Sequence, residues 1–256
     1  MAALRVDLAF LLDVTGSMQP CLDAIKENIG TFVTALTSPG VNSNIPIQDW
    51  RIKICGFRDY DADPATWFVD NPFVSDLAAV KAQLSEDKLR ADGGGDEPES
   101  LLDALFALAS AEITSLQDED LQSRWRSRQE ARRAIVFFTD ATFHPTIRIP
   151  AAKGGTVEDL QVLLQTNKFI LCGFCPEWSG YLDLSSVDEA DITFVAKCSE
   201  DPALAGLGTA GATGRAARDV AVNGLRNLAS DPLAFAKVME QLAKSISKSV
   251  SAANAG

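Results

Sequence analysis

Cysteine is sparse and unpatterned in this chain. Cys21, Cys55, Cys172, Cys175 and Cys198 are odd in number, scattered, and mostly set in apolar runs such as RIKICGF and FILCGFC. That pattern argues against a disulfide framework and for a reducing compartment. The single C-x-x-C, Cys172 to Cys175, has no second pair to complete a zinc site and reads as core. A long uncharged apolar run is also missing. The N-terminal apolar stretch is broken by Asp7 and ends at Asp13, so it reads as a core strand, not a signal peptide or a membrane span. The expected location is the cytoplasm. An excess of basic residues is absent as well: the net charge of −12 repels nucleic acid and anionic membrane, and neither is expected as a partner. Histidine occurs once, at His144.

What is present is a core. With 46% hydrophobic residues in 256, the chain can build one large α/β domain and is short for two. No internal repeat or linker divides it, so residues 1–256 read as one domain. Apolar strands are expected at 4–12, 50–57, 65–70, 133–140, 169–175 and 192–198. Helical spacing is expected between them: at Leu22, Ile25, Ile29, Phe32, Val33 and Leu36; from a Ser75 cap to about residue 87; from Pro98 to about 111; and at 157–166 and 232–250. Residues 112–133 are charged and read as a helical extension. Residues 199–224, rich in Gly and Ala, read as a long loop. Continuous apolar strands alternating with helices indicate a mainly parallel sheet covered on both faces.

In such a sheet, ligands collect at the carboxyl ends of the strands. Two strands end in aspartate there: LAFLLDVTGSM at Asp13, followed by Thr15 and Ser17, and IVFFTDAT at Asp140. A third acid, Asp96, stands in GGGDEPES ahead of a helix. All are oxygen donors, which suits Mg²⁺, with Mn²⁺ or Ca²⁺ as alternatives. His144, four residues past Asp140, is placed to orient a metal-bound water or to contact a partner. Taken singly, each acid is also explained as a helix cap, a strand end or a helix-dipole partner.

LLDVTGSM, GGGDEPE and FFTDA, in that order, resemble the von Willebrand factor A domain with its metal-ion-dependent adhesion site. The resemblance covers about residues 4–198 and is nearest to the subgroup with DVTGSM and GGGDxPE loops. It implies a doubly wound, mostly parallel six-stranded sheet with one antiparallel edge strand. It also implies a divalent ion at the top of the sheet and a protein partner whose acidic side chain completes the coordination. It makes Asp13, Thr15 and Ser17 first-loop ligands, and Asp140 the third-loop acid. Asp96 departs from the Thr of the best-known members. A third carboxylate strengthens cation binding and weakens the ion's pull on a partner's carboxylate.

Rival readings use the same residues. DVTGS also resembles the phospho-aspartyl loop of haloacid-dehalogenase-like phosphatases, with Asp13 as nucleophile. That family's late acid motif should follow a strand nearer the C-terminus, whereas GDEPES precedes the FFTD strand. A metal-free scaffold that keeps only the fold is the other alternative. FRDYDADP (57–64) spaces Asp59, Asp61 and Asp63 as a calcium loop would, but Pro64 stands where that loop needs Gly, so it reads as a solvated loop. SRWRSRQEARR (123–133) reads as an exposed, salt-bridged helical face, and GLGTAG (206–211) as a mobile loop outside any βαβ unit. The four tryptophans read as core or rim packing.

Overall fold

The structure is a computed structural model and describes residues 4–38, 47–93, 95, 97–114, 122–197, 224–225 and 227–253. The strands are β1 (Arg5–Asp13), β2 (Asp49–Phe57), β3 (Phe68–Asp70), β4 (Arg132–Phe138), β5 (Phe169–Glu177) and β6 (Ala190–Lys197). The helices used below are α1 (Gln19–Thr37), α2 (Leu77–Gln83), α3 (Leu101–Ala109), α4 (Val157–Thr166), α5 (Ser179–Leu184) and α6 (Pro232–Ala253). One six-stranded sheet has the order β3-β2-β1-β4-β5-β6. Every pairing is parallel except β2 with β3 at the edge. This is the doubly wound, mostly parallel α/β class expected from the alternation of strands and helices.

The central strands are apolar on both faces because both faces are covered. Leu8, Phe10 and Leu12 of β1 join one core cluster with α1, α2 and α6, while Ala9 and Leu11 join the opposite cluster with α3, α4 and α5. The same alternation splits Cys172 and Cys175 onto opposite faces of β5, so their sulfurs cannot converge. Both are buried thiols, as the core reading held. Each fully buried Phe or Leu contributes roughly 1.5–3 kcal/mol of transfer free energy. The sheet is also tightly layered: a Cβ on Gly173 of β5 would lie 2.2 Å from the Phe137 ring of β4. Among the described residues, no helix is long and apolar enough to cross a membrane.

Several local expectations are corrected. The α2 cap is Asp76, whose side chain accepts from the N–H groups of Ala78 and Ala79, not Ser75. α3 begins at Leu101, not Pro98. It ends at Ala109, and the described parts of the expected helical extension are not helical: Ile113–Thr114 pairs in parallel with Trp125–Arg126, while residues 115–121 lie outside the described residues. The arginine-rich stretch is not an exposed helical face. Trp125, Arg126 and Arg133 are buried, and Arg126 donates from Nε to Asp7 Oδ1 at 2.8 Å. The physical reason is Asp7, a fully buried carboxylate on β1. A buried charge requires a fork-shaped partner, and the chain brings Arg126 and Arg51 to it. The GLGTAG segment lies outside the described residues.

Candidate functional site

The connection leaving β1 enters α1 on one face of the sheet, and the connection leaving β4 enters α4 on the other. The carboxyl ends of these two adjacent strands therefore form a topological switch point, where a crevice opens above the sheet. Asp13 and Thr139 stand there side by side, one register step beyond the Leu12–Phe138 pair. Thr139 Oγ1 donates to Asp13 Oδ2 at 2.7 Å. The other carboxylate oxygen, Oδ1, accepts from Thr15 Oγ1 at 2.7 Å and from the Thr15 N–H at 2.9 Å. Ser17 Oγ lies 3.4 Å from Thr15 Oγ1, at the start of the short 3₁₀ turn that leads into α1. Asp13, Thr15 and Thr139 are buried, and Ser17 is partly exposed.

A hydroxyl that spends its one proton on Asp13 keeps its lone pairs for another group. Thr15 is in that state, so the first loop presents a hydroxyl acceptor beside the Asp13 carboxylate, whereas Thr139 Oγ1 also accepts from the Ala141 N–H. Neither Asp13 nor Ser17 caps a helix here, since no side-chain cap is made at the start of the 3₁₀ turn or of α1.

Asp140 is 1% exposed at the end of β4 and faces the α1 side. Burial, then the charges of Asp140 and Asp13, push the Cys21 thiol of α1 well above its ordinary range. Cys21 therefore remains a protonated thiol and offers no soft thiolate ligand. Burial likewise raises the Tyr181 phenol, which donates to the Ala141 carbonyl at 2.6 Å and fixes the turn after Asp140.

The second loop is built around glycines at positive φ, Gly93 (66°) and Gly95 (60°). A Cβ on Gly93 would lie 2.6 Å from Asp63 Oδ2, the movable end of a side chain, so it is the left-handed backbone that requires glycine there. Asp96 lies outside the described residues. Its neighbours bind the third loop: Glu97 Oε1 accepts from the Thr142 N–H at 2.8 Å, and the Glu99 N–H donates to the Thr142 carbonyl at 2.9 Å. The Asp92 N–H donates to the Val14 carbonyl at 2.9 Å, which ties the second loop to the first. Arg58 staples the loop after β2 to the same segment through the Asp92 and Arg90 carbonyls.

His144 is buried, and its Nε2 lies 2.8 Å from Asp59 Oδ1. Asp59 is 7% exposed, which overturns the reading of FRDYDADP as a wholly solvated loop; only its outer part, including Asp61, is exposed. Sequence reasoning missed Thr139 and the Asp59–His144 pair. For Thr139 the sequence pointed elsewhere: aligning the β1 and β4 motifs by their terminal aspartates sets Asp140 beside Asp13, whereas the register that pairs Leu12 with Phe138 is offset by one and brings Thr139 there. For Asp59 there was no signal, since the pairing spans 85 positions.

No protein-family model matches the chain, and no curated protein matches it. Solved structures are similar. Proximal thread matrix protein 1 (PTMP1) from the mussel byssus shares 14% identity over 87% of this chain and 47% of its own, with a TM-score of 0.46. A form of that protein with a zinc-occupied MIDAS motif shares 16% identity over 87% of this chain and 46% of its own, with a TM-score of 0.46. The pilus adhesin SpaC from Lactobacillus rhamnosus GG, in its open conformation, shares 12% identity over 91% of this chain and 30% of its own, with a TM-score of 0.44. The chain thus spans less than half the length of each of these proteins.

Proposed function

We propose that this chain is a metal-dependent protein-interaction module that binds one divalent cation above the β1–β4 crevice. Asp13, Thr15, Ser17, Asp96 and Asp140 hold the ion in this reading. The observation that supports it most is the hydrogen bonding of Asp13. Its Oδ1 takes the Thr15 hydroxyl proton, which leaves Thr15 Oγ1 as an acceptor beside Ser17, and Thr139 fixes its Oδ2. Two oxygens at right angles on an ion, bonded at ~2.1–2.4 Å, lie roughly 3.0–3.4 Å apart. The 3.4 Å between Thr15 Oγ1 and Ser17 Oγ lies at the long end of that range, and closing it by about 0.4 Å brings it to the Mg²⁺ spacing. The donor set is all oxygen, which favours Mg²⁺ over softer ions.

The ion, when bound, supplies Lewis acidity toward an incoming carboxylate. The chain's own residues do the rest. Thr139 fixes the Asp13 carboxylate, the glycine loop lets backbone approach closely, and Tyr181 fixes the turn beyond Asp140. The phospho-aspartyl reading has less support, because GDEPES precedes the FFTD strand instead of following a strand nearer the C-terminus. The test is calorimetric titration with Mg²⁺ of the wild type and Asp13→Asn, with phosphate release from a generic ester measured alongside. Binding lost in Asp13→Asn, without hydrolysis, supports the module. Mg²⁺-dependent hydrolysis abolished by Asp13→Asn supports the phosphatase. A melting temperature indifferent to millimolar Mg²⁺ supports the metal-free scaffold.

A further inference from the structure

The loop after β2 carries chemistry that the Asp13 crevice does not use. Asp59, Asp61 and His144 each offer one ligand atom, and the three atoms lie within 4.8 Å of one another. We propose that these residues form a second, separate metal site for a borderline transition-metal ion of the Zn²⁺ type, with Arg148 as its gate.

The donor chemistry separates this site from the first. One imidazole nitrogen with two carboxylates suits Zn²⁺, Co²⁺ or Mn²⁺, whereas the Asp13 crevice offers oxygen alone. The spacing needs little change. His144 Nε2 and Asp59 Oδ1 are 2.8 Å apart. Two ligands bonded at ~2.1 Å to a tetrahedral ion lie roughly 3.4 Å apart, so opening the pair by about half an ångström admits the ion. The ligands are also held before any ion arrives. Asp59 accepts from the Asp61 and Ala62 N–H groups and from Ser100 Oγ, and the His144 N–H donates to the Glu99 carbonyl. Asp59 and His144 are buried and Asp61 is exposed, which leaves an entry path on the solvent side.

Arg148 stands at the other ring nitrogen of His144. Its Nη2 lies 3.2 Å from His144 Nδ1, and its Nη1 lies 3.6 Å from Asp61 Oδ2. A guanidinium only donates, so this contact assigns the acceptor role to Nδ1 and the proton to Nε2. An ion on Nε2 reverses the tautomer and puts the proton on Nδ1, where Arg148 has nothing to accept it. Binding of an ion at Nε2 therefore requires the guanidinium to leave Nδ1. The Arg148 side chain is partly exposed on the solvent side.

The test is Co²⁺ titration of the full chain in excess Mg²⁺, followed by visible d–d absorption, with the melting temperature recorded for each variant. The wild type is expected to take up one Co²⁺ under these conditions. Asp61→Ala, at an exposed position, and His144→Gln are expected to weaken uptake about tenfold or more. Arg148→Met should tighten it, and Asp13→Asn should leave it unchanged. Absence of Co²⁺ uptake in excess Mg²⁺, uptake indifferent to Asp61→Ala and His144→Gln, or uptake lost in Asp13→Asn would each overturn the proposal. Since Asp13→Asn addresses the first site alone, failure here is distinct from failure of the Mg²⁺ reading.

Discussion

Thr139 donates its hydroxyl proton to Asp13 across the β1–β4 boundary at 2.7 Å, and this bond joins the two strands at the sheet's switch point. Thr139 itself accepts from the Ala141 N–H at 3.1 Å, so one hydroxyl fixes both the first-loop carboxylate and the turn after Asp140.

Replacing it should therefore act on the ion more than on the fold. Thr139→Val keeps the shape of the side chain and removes the hydroxyl. Mg²⁺ affinity should fall about 10- to 100-fold, as for a lost partner of a ligating carboxylate. The stability cost should be about 1–3 kcal/mol, the penalty for leaving buried polar groups unmatched. Calorimetric titration and urea unfolding measure the two effects separately.

At the other end of β1, Asp7 works for the fold alone. It is fully buried and paired with Arg51 and Arg126, and the Arg126 N–H also donates to its Oδ2 at 2.8 Å. Asp7→Ala leaves two guanidinium groups without their carboxylate and should cost about 3–5 kcal/mol. Mg²⁺ affinity of the protein that remains folded should not change. Denaturant unfolding combined with Mg²⁺ titration checks both statements.

Asp103 on α3 gives a pH dependence. Burial raises its carboxyl above the ordinary value, only partly opposed by the N–H groups of Ile149 and Arg148 that bond to its Oδ1. A folded-state value above the unfolded one means that stability is fully present below the unfolded value. It is lost as pH rises through the folded value. Asp103→Asn keeps an oxygen for those N–H groups and cannot ionise. Its melting temperature relative to wild type should rise over the window that opens above the carboxylate reference value of about 3.9. A relative melting temperature that stays level or falls over that window would contradict the assignment.

The doubly wound sheet was legible in the sequence because its central strands are apolar on both faces, and that pattern survives without knowledge of contacts. Asp13 and Asp140 were legible as strand ends, and Gly93 and Gly95 as a loop that needs left-handed backbone. The segment around Arg126 was not legible. Its charges look solvated in sequence and become buried because Asp7, 119 positions away, requires them. The Asp59–His144 pair failed for the same reason: alternate aspartates signal a surface loop until a distant histidine closes over the first of them. Local pattern reports which residues can be buried together. It does not report which buried charge selects which partner.

The account rests on an ion held by Asp13, and the most direct test is the melting temperature of the wild type and of Asp13→Asn with and without saturating Mg²⁺. At 100-fold excess over Kd, a ligand that binds only the folded state stabilises it by about 2.7 kcal/mol. The wild type should therefore melt several degrees higher with Mg²⁺, and Asp13→Asn should show no such rise. Equal melting of the wild type with Mg²⁺ and with chelator, or an undiminished rise in Asp13→Asn, would contradict the account.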